Sequence, residues 1–342
     1  MAQERACFCL LFFEVVLCAS KMGNACPREL SFHGEKDCKL EVDVDPHEAE
    51  GNVHVLIVAL DYSCDRWSWA GPPPNGHGPL DTKYAYDMMV DLAQKSEVAT
   101  LKTLWNAQAT KDGVAAAIAE VAAKCEPGDF FVFYYSGHGD QLPNDDGDND
   151  EEFDQCFCTV GPEGATDDPT MQYRQQVWMR DDMFAGAMLD ALDGTEDVKV
   201  LVLMDCCHSA TMCDFSPSSQ WAMKRQAAVS ISGCEDSQTS AGTGKGGYFT
   251  RALTMAVQYL EDNNDGEPYM LSQIYDKTID VYNANKSAAH TQNITVHGCA
   301  LRPWEMAWPL RPKCMYVSPC LSGGRGIGGP AANEKIKMVM PD

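Results

Sequence analysis

The chain has 342 residues with 26 basic and 50 acidic side chains, a formal net charge of −24, and is 45% hydrophobic and 22% charged. That composition is ordinary for a folded chain and excludes a disordered acidic tail or a fibrous repeat. So negative a surface, without a basic run, excludes nucleic acid and anionic membranes as partners and suits cationic substrates or a divalent metal.

Residues 1–50 lack sustained periodicity and read as an irregular leader. Within it Arg5 and the apolar run Ala6 to Cys18 have the outline of a signal peptide, but Glu14 interrupts the run. The run is too short to span a bilayer, so no stable membrane insertion is expected. Secretion is left as the alternative to a cytoplasmic chain. Only then would the sequons at Asn285 and Asn293 matter. Sixteen cysteines include the adjacent pair Cys206–Cys207, and no CxxC pair recurs at zinc spacing. Free thiols in a reducing compartment follow, without structural zinc.

Order begins near Val53, where HVLIVALDY is a short apolar run of the kind covered on both faces of a sheet. A loop with PPP and NGHG follows, then helical spacing over Tyr84 to Ala93 and a strand VATLKTLW. An alanine-rich helix over Gly113 to Ala123 ends before Pro127-Gly128, and Asp129 opens a second buried strand, FFVFYYSGHG. A helix spans about Asp181 to Leu192, and the strand Val198 to Met204 runs into DCCHS. AAVSIS is another strand; helices over Tyr248 to Leu260 and Met270 to Val281 and a short strand Ile294 to His297 complete the series. Strands alternating with helices predict an α/β fold: a three-layer arrangement, mostly parallel sheet, helices on both faces. The expected division is a leader 1–50, a domain 51–310 and a flexible tail 311–342. In such sheets ligands sit beyond the carboxyl ends of the strands, where SGHG and DCCHS fall.

His138 and Cys207 are the first candidates for chemistry. A cysteine works as thiolate, and a nearby imidazole both activates it and protonates a leaving amine. His138 stands between Gly137 and Gly139, which let the backbone turn and approach a substrate. The acidic stretch Asp140 to Asp154 reads as a solvated loop. Neither it nor EDNNDG (Glu261 to Gly266) keeps EF-hand register. GTGKGG (Gly242 to Gly247) lacks the spacing of a phosphate loop and reads as a loop near the active site. His208 is expected to shape the turn rather than act as base. Lys224-Arg225 is either a self-cleavage site or an exposed loop.

YYSGHG (Tyr134 to Gly139), MDCCHSA (Met204 to Ala210) and ISGCEDSQTS (Ile231 to Ser240) resemble the corresponding blocks of metacaspases, the caspase-like cysteine peptidases. The resemblance covers roughly residues 51–310, and three blocks in order make it specific. It implies a caspase-like fold with a large-subunit-like part 51–215 and a small-subunit-like part 226–310. It also implies Cys207 as nucleophile, His138 as base, and an oxyanion hole from the N–H groups of Gly139 and Cys207. The pocket it implies for Arg or Lys at the cleaved bond is Asp205, Asp87 and Ser136. Protein or peptide substrates cut after Arg or Lys are then the partners. KYAYDMM departs from the family's C-x-N-D, with Tyr84 at the cysteine position. The resemblance further implies an activating calcium ion (Ca2+) held by Asp154, Asp181, Asp182 and Asp214. The short connector places the chain nearer the type I members. Ala210 stands where glycine is usual, and CTVG replaces P-V-D after the acidic block. A monomer is expected. The alternative function is a catalytically silent calcium-binding regulatory module.

Overall fold

The computed structural model describes residues 51–64, 80–144, 153–162, 171–195, 197–215, 221, 227–264, 266–287, 292–299 and 305–313. The leader, the tail beyond 313 and Lys224-Arg225 lie outside the described residues.

Five parallel strands form the centre: β1 (Val53–Ala59), β2 (Thr100–Trp105), β3 (Phe130–Ser136), β7 (Lys199–Asp205) and β8 (Ala228–Ser232). A short antiparallel edge strand, β9 (Thr295–Gly298), completes the order β2-β1-β3-β7-β8-β9. The expected α/β class with a mostly parallel sheet is what the chain adopts. β3 and β7 are buried along their whole length, because both faces of the sheet are covered. Alternate residues therefore serve two cores. Leu56, Val58, Phe131, Phe133, Val200 and Val202 face one core; Val55, Ile57, Phe130, Val132, Leu201 and Leu203 face the other. Each such aliphatic side chain contributes roughly 1.5–3 kcal/mol by leaving water.

Helices α2 (Lys111–Ala122) and α4 (Asp181–Ala191) cover the first face, and α1 (Thr82–Lys95), α5 (Tyr248–Asn263) and α6 (Leu271–Asn285) cover the second. α2 starts where Thr110 accepts the N–H of Gly113 through its hydroxyl at 2.9 Å, an N-cap. α1 buries Thr82, Ala85, Met89, Leu92 and Ala93, one face at helical spacing. Phe184 of α4 seals its layer by meeting Phe133 at 4.8 Å between ring centroids and Phe157 edge-on at 5.3 Å.

One feature departs from the sequence expectation of a solvated loop over Asp140 to Asp154. Its ends are strands, β4 (Gly139–Pro143) and β5 (Phe153–Phe157), which form an antiparallel sheet with the two-residue β6 (Met179–Arg180). GDQLP and FDQCF are short and rich in polar residues, so no apolar alternation marks them. The helix α3 (Met171–Val177) precedes β6. Among the described residues Cys125, Cys156, Cys158, Cys206, Cys207, Cys213 and Cys234 are free thiols. No helix among the described residues is long and apolar enough to cross a membrane.

Candidate active site

The parallel pairing of β3 with β7 sets Ser136 opposite Asp205. His138 and Cys207 each lie two residues beyond that pair, so they leave neighbouring strands at the same level. Neighbouring strands stand about 4.8 Å apart. The approach is close enough to demand glycine: a Cβ on Gly139 would lie 1.9 Å from the carbonyl oxygen of Cys207 and 3.3 Å from the sulfur of Cys206. A Cβ on Gly137 would lie 2.8 Å from the Tyr135 hydroxyl. Gly139 is the steric requirement for bringing the SGHG turn against the DCCHS turn, whereas Gly137 makes room for the Tyr135 and Tyr62 hydroxyls.

The backbone of His138 is clamped from below. Its N–H donates to the Tyr62 hydroxyl at 2.8 Å, and that hydroxyl donates to the carbonyl of Cys158 at 2.8 Å. The carbonyl of His138 accepts from the Tyr135 hydroxyl at 2.9 Å and from the N–H of Cys158 at 3.1 Å. The imidazole and the Tyr62 ring lie 5.1 Å apart. Burial pushes both phenols well above the ordinary tyrosine range, so they stay neutral and can donate. Tyr62 is held at φ 63°, in the left-handed region that a bulky side chain rarely adopts. Asn106 offsets that strain by accepting the N–H groups of Asp61 and Tyr62 at 2.9 and 3.2 Å. Sequence reasoning missed Tyr62, because nothing local distinguishes the tyrosine of ALDY from an ordinary strand-end residue.

Cys207 is half-buried, whereas Cys206 is 2% exposed. Only Cys207 is therefore accessible to a substrate. Its sulfur accepts the N–H of Ser240 at 3.2 Å. Burial pushes the Cys207 thiol up, the Asp205 and Asp140 carboxylates add to this, and the Ser240 N–H opposes it. Burial raises Cys206 well above the usual thiol value. His208 turns away: at φ 50°, its Nδ1 meets the carbonyl of Asp236. It shapes the turn.

Asp205 sits 5% exposed at the start of α5. Its carboxylate accepts the Thr250 N–H at 3.2 Å, the Thr250 hydroxyl at 2.5 Å and the Ser240 hydroxyl at 3.1 Å. Burial nevertheless raises its pKa. The Thr250 hydroxyl also meets the Tyr134 hydroxyl at 2.6 Å. Ser240 thus ties the reactive sulfur, through its N–H, to Asp205, through its hydroxyl. Ser136 is buried on the neighbouring strand, opposite Asp205.

Asp87 lies elsewhere. It is on the exposed face of α1, ion-paired with Lys83 one turn earlier. Ala85 of the same helix is buried, and two residues advance a helix by about 200°. Tyr84 is also exposed.

Of the four carboxylates implied for calcium, Asp154, Asp181 and Asp182 come together, with an oxygen of each within 4.8 Å of the others. Asp214 is not in that group, though Asp181 and Asp214 both bear on the thiol of Cys213. The first two are buried and the third half-buried. Burial, then repulsion from Asp182 and Asp154, raises the Asp181 carboxyl to about 8, against the N–H groups of Gln155 and Asp182. Arg180 pairs with Asp154 and donates to the carbonyl of Pro143 at 3.1 Å. An all-oxygen set of crowded carboxylates fits a hard divalent cation, which would share Asp154 with Arg180.

Residues 77–216 match the model of the metacaspase, peptidase C14 domain. A metacaspase-2 from Trypanosoma brucei brucei is 28% identical over 176 residues, 43% of this chain and 47% of that protein. A metacaspase-2 from Arabidopsis thaliana is 26% identical over 200 residues, 52% of this chain and 45% of that protein. The chain thus spans about half the length of these curated relatives. A crystal structure of a Geobacter sulfurreducens protein shares the fold, with a TM-score of 0.50 and 21% identity over 72% of this chain and 93% of that one.

Proposed function

We propose that the chain, whose residues 77–216 match the metacaspase peptidase C14 domain, is a cysteine endopeptidase that cuts after Arg or Lys and is stimulated by calcium. The observation that carries the reading is the meeting of the two turns: Gly139 packed on the Cys207 carbonyl, with the Ser240 N–H on the Cys207 sulfur at 3.2 Å. His138 takes the thiol proton, and the sulfur forms a bond to the scissile carbonyl carbon. The oxyanion so formed meets N–H groups at the Gly139 and Cys207 turns. His138 returns its proton to the departing amine as the C–N bond breaks, leaving a thioester. Water, deprotonated by His138, then cleaves that thioester and restores the thiol.

Two features support a cationic side chain at the cleaved bond. Asp205 is bridged to the sulfur by one residue, and among the described residues its bonds come from neutral donors. A buried carboxylate without a cation favours a basic side chain that brings one. Calcium would be held by Asp154, Asp181 and Asp182, with Asp214 added by resemblance. When bound it supplies the positive charge that lets these crowded carboxylates ionise together. The chain is read as cytoplasmic and monomeric.

The test is hydrolysis of matched fluorogenic peptides ending in Arg, Lys or Asp, with calcium or chelator, beside Cys207→Ala. Turnover of the Arg and Lys peptides that needs calcium and Cys207 is expected. Turnover of the Asp peptide alone would refute the pocket and keep the nucleophile. Calcium binding without turnover of any peptide would make the chain a regulatory module.

A further inference from the structure

The loop that supplies the Ser240 N–H is held closed by one buried side chain from outside it. Gln292 lies just ahead of β9 and is 2% exposed. Its Oε1 accepts the N–H of Ala241 at 3.0 Å, and its Nε2 donates to the carbonyl of Gly233 at 2.8 Å. Those two residues bound the stretch between β8 and α5 that contains Ser240. The partners fix which way the amide faces, since a backbone N–H can only donate and a carbonyl only accept. Each end of the stretch is also tied to an element. The N–H of Gly233 donates to the carbonyl of Met204 on β7 at 2.8 Å, and the carbonyl of Ala241 accepts the N–H of Tyr248 on α5 at 3.1 Å.

Gln292 is itself anchored. The Tyr282 hydroxyl donates to its carbonyl at 2.9 Å, and the Tyr275 hydroxyl donates to the carbonyl of Ile294 at 2.9 Å. Both tyrosines belong to α6, two turns apart and so on nearly one face. The segment leading into β9 is thereby pinned to a helix, and the amide projects from it into the base of the loop. Ser240, next to Ala241, is the residue that this closure places. Its N–H reaches the Cys207 sulfur at 3.2 Å and its hydroxyl reaches Asp205 at 3.1 Å.

We propose that Gln292 is a positioning residue for the reactive cysteine: by bonding Gly233 and Ala241 at once, its amide holds the Ser240 N–H against the Cys207 sulfur. This rests on Cys207 as the nucleophile and goes beyond it by adding a residue outside the three motif blocks. The charged groups around that thiol are His138 on the neighbouring turn, Asp205 of β7 and Asp140 of β4. The Cys158, Cys206 and Cys234 thiols lie near enough to interact with it, and His208 turns to the Asp236 carbonyl. The hydrogen bonds of Gln292 go to none of these groups, so its loss acts through Ser240.

The experiment follows the pH dependence of Cys207 alkylation by iodoacetamide, read by mass spectrometry with Cys207→Ala as the blank. Gln292→Met keeps the length of the side chain and removes both of its hydrogen bonds. It is expected to raise the midpoint of the rate's climb by about one pH unit, the scale of one hydrogen bond to a charged sulfur. Asp129→Ala, which removes buried hydrogen bonds where β1 and β3 begin, leaves the midpoint as it was. Gln292→Asn, one methylene too short to span both partners, shifts it in the same direction and is read instead if the methionine variant loses cooperative melting. An unmoved midpoint in a folded Gln292 variant, or the same rise in Asp129→Ala, overturns the assignment. Peptide hydrolysis by the wild-type chain tells its failure from that of the proposed peptidase. A raised midpoint without turnover of any peptide keeps the positioning role and removes the peptidase; turnover with an unmoved midpoint does the reverse.

Discussion

Cys207 is the residue on which the proposed chemistry turns, and its surroundings describe a thiol at rest rather than a standing thiolate. Burial and the nearby Asp205 and Asp140 charges raise its pKa, and the backbone N–H groups of Ser240 and of Cys207 itself oppose them. Alkylation of Cys207 by iodoacetamide is therefore expected to be slow at pH 7 and to climb until past the usual thiol pKa of about 8.5. The rate is read by mass spectrometry of the peptide carrying Cys206 and Cys207, with Cys207→Ala reporting what Cys206 alone contributes. A rate that levels off near neutrality would show a preformed thiolate and refute this account. In the proposed peptidase, activation then belongs to the moment when substrate and His138 meet the sulfur. The resemblance of DCCHS to the family's D-x-C-H-S block implies Cys207 in place of Cys206, and the burial of Cys206 supports that choice. The clamp of Tyr62 under His138 was not legible, because 76 residues separate the two.

Among the elements, the strands carry the site forward and must start in register to deliver it. Their starts are tied by one carboxylate. Asp129 accepts the N–H groups of Asn52 at 2.7 Å and Glu126 at 2.8 Å and pairs with His54 at 3.1 Å, and His54 meets the Thr100 hydroxyl at 3.0 Å. These bonds link the starts of β1, β2 and β3. Burial by itself would raise Asp129, but the two N–H donors and His54 outweigh it and hold the carboxyl below its usual value. A depressed carboxyl stabilises the fold above the unfolded pKa of about 3.9, and the contribution is lost as pH falls through the folded value. Asp129→Ala is expected to cost about 2–4 kcal/mol at pH 7, since it leaves buried donors unmatched. In denaturant titrations the gap to wild type should narrow as pH drops below about 4. A gap that stays constant down to the acid limit would count against the ionised carboxylate as its source. The helices were also legible, within a few residues at most ends; Thr110 caps α2 three positions before Gly113, the first residue that helical spacing assigns. The antiparallel sheet of β4, β5 and β6 was hidden, because its strands are two to five residues long and carry no alternation to read.

For the whole molecule, the three carboxylates Asp154, Asp181 and Asp182 join β5 to α4 across the small sheet. A cation bound there would stabilise the folded chain by mass action. Calcium at 100 times its dissociation constant should contribute about 2.7 kcal/mol and raise Tm by a few degrees. Asp182→Asn should weaken that shift, and magnesium, which demands tighter octahedral geometry, should reproduce it poorly. Differential scanning calorimetry with calcium, magnesium or chelator reads the effect. An identical Tm in all three would remove calcium from the proposal and leave the dyad standing.

What the amino-acid sequence by itself determined is the order of strands and helices and the two turns that carry His138 and Cys207. Both depend on local causes. Runs such as VHVLIVA and FFVFYYS can bury both faces only inside a covered sheet, and the glycines of SGHG permit an approach that any Cβ would block. Tertiary structure alone decided which side chains meet across those elements. Ser240 reaches Cys207 from 33 residues away, and Gly246 reaches Asp81 across 165. The same packing leaves Asp87 exposed while Asp81, six residues earlier, meets the loop of Gly246. Helical phase could have excluded Asp87 from the buried face of α1, since Ala85, Met89 and Leu92 mark that face. It could not have told where Asp81 turns, because an N-cap side chain is free to turn either way. Which loop it met was settled by how α1 and α5 pack on the same face of the sheet.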